Sequence, residues 1–169
     1  MENLDRLCAE YGYKFADEIK GAFFKKDAKE ADSKKRDTEE AGAEKKDPEK
    51  AAAKKAESLI TKALGVLQEQ GLYAFVLFCK SKKGSNEEKG AEKMEEITKE
   101  LFKKLSLINN DGLLNEIRKD NGLASRLDDL LLAIQVLEKS LIYAKYHAKA
   151  FANSQEKANN QNSKDSEEQ

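Results

Sequence analysis

Tryptophan is absent, proline and histidine occur once each, and only two residues of the 169 are cysteine. The single histidine, His147, argues against most hydrolytic and metal chemistries, which use imidazole together with an orienting partner. Cys8 and Cys79 stand alone, with no CxxC pair and no histidine at metal-ligand spacing. They read as small buried hydrophobes of a reducing cytoplasm, the expected compartment. Long apolar runs are missing too. The longest, Leu72 to Cys79, is far too short to span a bilayer, and MENLDRLCAE carries no signal-peptide core. Charge of one sign is lacking as well: 31 Lys and Arg against 32 Asp and Glu leave a net charge of −1. A protein that coats DNA needs a net positive field to release counterions from phosphate, so that class is disfavoured. Local basic faces remain open.

What the sequence does contain is helical spacing, with no alternating β-branched run to suggest a strand. Leu4, Leu7, Tyr11, Phe15, Ile19 and Phe23 recur every three or four residues and share one face of a first helix, 1–24. The character then changes. From Lys25 to Ala56 no apolar side chain is larger than alanine, and twenty of 32 residues are charged, eleven basic and nine acidic. So little burial offsets little ordering entropy, and residues 25–57 read as a charged flexible insert, interrupted at Gly42 and Asp47-Pro48. Structure resumes at Ser58 with Leu59, Ile60, Ala63, Leu64 and Leu67. Gln68 to Gly71 kinks or ends that helix. Leu72, Phe75, Val76, Phe78 and Cys79 follow, apolar nearly all round, which predicts the most buried helix of the protein.

Ser85-Asn-Glu-Glu88 has the pattern of a capping box and opens a helix carrying Ala91, Met94, Ile97, Leu101 and Leu105 inward. Asn109 to Gly112 and Asn121-Gly122 are turns by composition, flanking a short amphipathic piece with Leu113, Leu114 and Ile117. The strongest periodicity comes last: Leu123, Leu127, Leu130, Ile134, Leu137, Leu141, Ala144, Ala148 and Phe151. It predicts a helix of about 43 Å at 1.5 Å per residue, with Leu131, Ile142 and Tyr146 widening its apolar stripe to suit a bundle core. Residues 153–169 have no aromatic or large aliphatic side chain and read as a disordered tail. The fold expected is all-α: a compact helical bundle of residues 1–24 and 58–152, with the insert and the tail outside it.

Catalytic patterns are missing. His147 has no neighbour in sequence suited to orient it and reads as a surface or partly buried residue. Asp128 and Asp129 diverge by about 100° on a helix and so do not converge on one ion. No phosphate loop, dinucleotide-binding glycine pattern or zinc spacing occurs, so no enzyme, metal or cofactor is expected. The basic residues are informative in kind, because 27 of the 31 are lysines. Lysine is a point charge suited to phosphate, whereas bidentate base reading favours arginine. Two groups stand out as RNA-contact candidates: Lys80, Lys82 and Lys83 after the buried helix, and Lys145 and Lys149, one turn apart on the last helix. Lys103 and Lys104 form a weaker third group.

Three stretches together resemble the small all-helical subunit of type III-B CRISPR effector complexes, the Cmr module. They are Cys8 to Ala16 with its Ala/Tyr-rich face, Leu59 through the Gly71-Leu72 step to Lys82, and Leu130 to Lys149. The chain departs from that pattern at Tyr143, where the family often carries tryptophan before a basic pair, at Lys145 with Tyr146 beside it, and in the length of 25–56. The resemblance implies a non-catalytic subunit that stacks with copies of itself and with other effector subunits in the inner filament of a ribonucleoprotein. There it would support the guide RNA–target RNA duplex, with no membrane and no small-molecule substrate, while base pairing supplies sequence specificity. Two other readings stay open: a helical adaptor that binds another protein through an apolar groove, and a homo-oligomer that uses the 123–151 seam as a coiled coil.

Overall fold

Residues 3–34 and 47–162 are described by a computed structural model, with side chains described for 3–29 and 47–154. Among them are five α-helices, one 3-10 turn and no strand: α1 (Leu4–Lys34), α2 (Pro48–Ser81), α3 (Glu88–Lys104), α4 (Leu113–Arg118), the turn Leu123–Ser125, and α5 (Leu127–Asn162). The all-α bundle expected from the sequence is what forms. The face of α1 read from its spacing packs inward, with Leu7, Tyr11, Phe15, Ile19 and Phe23 all buried. Along α5 the Tyr143 hydroxyl donates to Asp5 (2.8 Å) and His147 meets Tyr13, so α1 and α5 run side by side in the same direction. Lys104 pairs with Glu10 and Lys14 with Glu100, while Lys26 donates to Asn86, which sets α3 antiparallel to α1.

The boundaries of the charged insert need correction. Helix α1 continues to Lys34, and α2 begins at Pro48, where the Asp47 carboxylate accepts from the Glu49 amide and Pro48 takes the first helical position. Ala52, Ala53 and Ala56 are fully buried. Alanine offers little apolar area, but it has the highest helix propensity and lets neighbouring helices approach closely. Lys20–Glu49 and Lys55–Asp27 then tie the start of α2 to α1. Residues 35–46 of the expected insert lie outside the described residues. Ala152, the last residue of the expected bundle, is buried; within the expected tail the backbone stays helical to Asn162, and residues 163–169 lie outside the described ones.

The break foreseen at 68–71 is a bend within α2. Gly71 has φ 86° and ψ −175°, a conformation essentially confined to glycine. Lys62 and Lys82 both reach the Glu87 carboxylate, at 2.7 and 2.8 Å. A straight helix would hold their Cα atoms about 30 Å apart, so the two arms of α2 fold back on each other around Gly71. The second arm is not apolar-buried all round. Leu72, Phe75, Val76 and Cys79 face the core, whereas Tyr73 and Leu77 are exposed.

Further along, the capping box does not form: Ser85 Oγ accepts from the Glu87 amide and donates to the Lys82 carbonyl, and α3 starts only at Glu88. Glu116, nearly fully buried, stabilises the loop before α4. Burial raises its pKa, yet Lys119 at 3.0 Å and the Asn109 and Asp111 amides outweigh that and hold it below the ordinary carboxylate range. The last helix starts at Leu127 rather than Leu123, because Leu123–Ser125 closes a 3-10 turn. Its inner face is Ala133, Val136, Leu137, Ser140, Leu141, Ala144, Ala148 and Ala152. Leu127, Leu131 and Tyr146, expected in the apolar stripe, are exposed.

Candidate functional site

The two lysine groups meet different fates. Lys80 pairs with Glu95 at 2.8 Å and Lys82 with Glu87 at 2.8 Å, with the Lys82 ammonium also 4.6 Å from the Phe78 ring centre. Lys80 and Lys83 line a groove of about 340 Å³ together with Cys79, Glu88, Glu92 and Glu95. Two ammonium groups against three carboxylates leave no positive field there. Pairs this exposed contribute roughly 0–1 kcal/mol each to stability, but they cancel one another's field at the distances where a phosphate would first be attracted. Folding therefore pairs Lys80 and Lys82 with acids and sets Lys83, which forms no ion pair among the described residues, in the same acid-lined groove. Lys104, of the weaker group, pairs with Glu10 at 3.7 Å.

Lys145 and Lys149 are differently placed. The stretch 139–155 contains no acidic residue, and neither lysine forms an ion pair among the described residues. They are i,i+4 neighbours on α5, so both ammonium groups stand over one helix face. Lys139, one and a half turns earlier, is committed to Asp5 at 2.6 Å. The Lys139 ammonium and the Tyr143 hydroxyl hold the Asp5 carboxyl below its usual pKa, and the same bond pushes the Tyr143 hydroxyl up.

Beside these lysines α1 and α5 enclose an open cleft of about 310 Å³ lined by Ala9, Tyr143, Tyr146 and His147. Close approach of the helices at Gly12 shapes it: a Cβ there would lie 2.5 Å from the Tyr143 Cβ and 3.0 Å from the Ser140 carbonyl oxygen. His147 sits edge-on to Tyr13 with ring centres 5.6 Å apart and stacks on Phe151 at 6.3 Å, and Lys20 lies 4.4 Å from the Phe151 ring centre. His147 is thus half-buried in an aromatic cluster rather than a simple surface residue. Tyr13 and Tyr146 are 51% and 63% exposed, which is large for aromatic side chains in a bundle.

Sequence reasoning passed over Tyr13 and placed Tyr146 in the core. Both fall off the buried stripes of their helices, Leu7-Tyr11-Phe15 and Ala144-Ala148, and that mismatch is the signal that identifies them.

The remaining candidates behave as structural groups. Cys8 and Cys79 are buried free thiols, and burial pushes Cys79 up to about 12, where it is a poor nucleophile at neutral pH. Asp129 takes the Arg126 guanidinium at 2.6 Å, and both aspartates occupy the first turn of α5, where the helix dipole favours them. Among the described residues no group of three His, Cys, Asp or Glu side chains is placed to hold a metal ion, and no helix is long and apolar enough to cross a membrane. Compared with protein-family models, curated proteins and solved structures, the chain matches none.

Proposed function

We propose that the chain is a non-catalytic small subunit of a type III CRISPR ribonucleoprotein, stacked in its inner filament, where the middle of α5, around Lys145 and Lys149, faces the guide RNA–target RNA duplex. The observation that carries the contact is the acid-free stretch 139–155 with Lys145 and Lys149 unpaired among the described residues, in a protein whose other lysines are so often held by carboxylates. The resemblance of residues 8–16, 59–82 and 130–149 to that family supports the assembly itself. Two lysines on one helix face supply sequence-independent phosphate contact, and a net charge of −1 suits a protein whose partners provide most of the binding. Lys80, Lys82 and Lys83 are the secondary candidates, because RNA would first have to displace Glu95 from Lys80 and Glu87 from Lys82, and would meet Lys83 in a groove shared with Glu88, Glu92 and Glu95.

The double variant Lys145→Ala/Lys149→Ala is expected to lower affinity for a 24-base-pair RNA duplex about tenfold at low salt, and to reduce the salt slope by about 1–2. Lys80→Ala/Lys83→Ala is expected to change both much less. Fluorescence anisotropy over a salt series reads both quantities. Equal affinity and slope in wild type and the 145/149 variant, or no duplex binding by the wild type even at low salt, contradicts the contact.

A further inference from the structure

Resting on that reading and extending it, we infer that the α1/α5 cleft over Ala9 is a stacking site for one unpaired RNA base, with Tyr146 as its exposed platform and Lys149 beside it for the adjoining phosphate. Three observations converge on this. The cleft holds about 310 Å³, the small end of ligand-site volumes and sized for one planar ring. Its lining is almost entirely aromatic, from Tyr143, Tyr146 and His147, over an alanine floor that leaves room against α1. Two of the rings are held in place: Tyr143 by its hydroxyl bond to Asp5 at 2.8 Å, and His147 by contact with Tyr13 and Phe151. Such fixed rings stack on a base without first losing conformational freedom.

The electrostatics agree. Asp5, the acid bonded to the cleft-lining Tyr143, is already neutralised by Lys139 at 2.6 Å. Lys149 is three residues from Tyr146 on the same helix, which makes the two side chains neighbours. An aromatic platform next to an unpaired ammonium is the arrangement by which proteins take single-stranded nucleic acid without reading its sequence, because every base has a π-face. A base within a duplex is stacked on both sides and cannot enter. The cleft therefore discriminates an unpaired nucleotide from the paired strand that the lysines alone would accept.

The absence of tryptophan makes a direct test available. Tyr146→Trp keeps the platform and adds the sole indole reporter in the full-length chain. Titration with a 12-nucleotide oligoadenylate is expected to quench its emission, while a fully paired RNA duplex that binds does not. Tyr146→Ala is expected to weaken oligoadenylate binding about five- to a hundredfold with duplex affinity unchanged, and Tyr146→Phe to bind as the wild type does. Because Tyr146 is 63% exposed, the thermal melts of all three variants should match the wild type. Duplex binding that depends on Lys145 and Lys149, with no quenching and no loss in Tyr146→Ala, overturns the stacking site and leaves the duplex contact standing. Binding of neither RNA overturns both.

Discussion

Replacing Phe75 by alanine is expected to destabilise the protein by about 3–5 kcal/mol, whereas Leu77→Ala, two residues on, should cost under about 1 kcal/mol. Phe75 is fully buried on the second arm of α2, and Leu77 on the same arm is 44% exposed. The cost at Phe75 has two parts, the lost transfer free energy of the ring and the cavity left when the surroundings relax only partly. Domains of this kind have total stabilities of about 5–15 kcal/mol, so Phe75→Ala removes a large fraction of what holds the bundle together. Urea unfolding of both variants provides the check. Equal losses at the two positions would mean that the arm is buried all round, as its composition alone suggests, and that the orientation around Gly71 described above is wrong.

Gly12→Ala and Gly21→Ala are expected to shift stability in opposite directions although both lie in α1. At Gly21 a new Cβ meets nothing within 4 Å, so the substitution should stabilise by about 0.5–1 kcal/mol through helix propensity and reduced unfolded-state entropy. At Gly12 the new Cβ would sit 2.5 Å from the Tyr143 Cβ and 3.3 Å from the Ala144 backbone nitrogen. Neither atom is the free end of a flexible side chain, so α1 and α5 must separate. Overpacking of this sort costs about 1–3 kcal/mol, which exceeds the propensity gain. In a chain of this length each kcal/mol shifts the melting temperature by about 2–4 °C, so the two variants should melt visibly on opposite sides of the wild type. Gly12→Ala should also disturb the cleft, because Gly12 contacts the same Tyr143 that lines it. A Gly12→Ala protein that melts at or above the wild type would show that the α1–α5 seam is looser than described.

Periodicity made most of the helices legible. The α1 stripe, the inward residues Ala91, Met94, Ile97 and Leu101 of α3, and the break at Gly71 follow from spacing and from one glycine in an apolar stretch. At the start of α2, alanine hides the helix from a reading by hydrophobicity. Ala52, Ala53 and Ala56 looked too small to repay ordering, yet small side chains let α1 and α2 pack closely, and helix propensity carries α2 back to Pro48. In the α5 stripe Leu137, Leu141, Ala144 and Ala148 turn inward as their spacing predicts, but Ala133 and Ala152, outside that spacing, turn inward too, and Leu127 and Leu131 are left outside. Hydrophobicity alone ranks leucine above alanine, but helix–helix distance decides which of them fits.

The candidate site was half legible. Lys145 and Lys149 follow from helical spacing, and Lys80, Lys82 and Lys83 from their place at the end of an apolar helix. The groups are separated by Glu95, which reaches Lys80 from α3, and by Glu87, which reaches Lys82 within the turn that joins α2 to α3. The cleft could not be read from either helix alone, since its floor comes from Ala9 on α1 and its rings from α5.

Purification of the tagged full-length protein from its native cells, with mass spectrometry of the associated proteins and sequencing of bound RNA, tests the central claim most directly. The account predicts a multi-subunit particle carrying short guide RNAs, with the protein present in several copies. Recovery of a single protein partner without RNA would contradict it and assign the exposed apolar residues Leu127 and Leu131 to an adaptor surface instead.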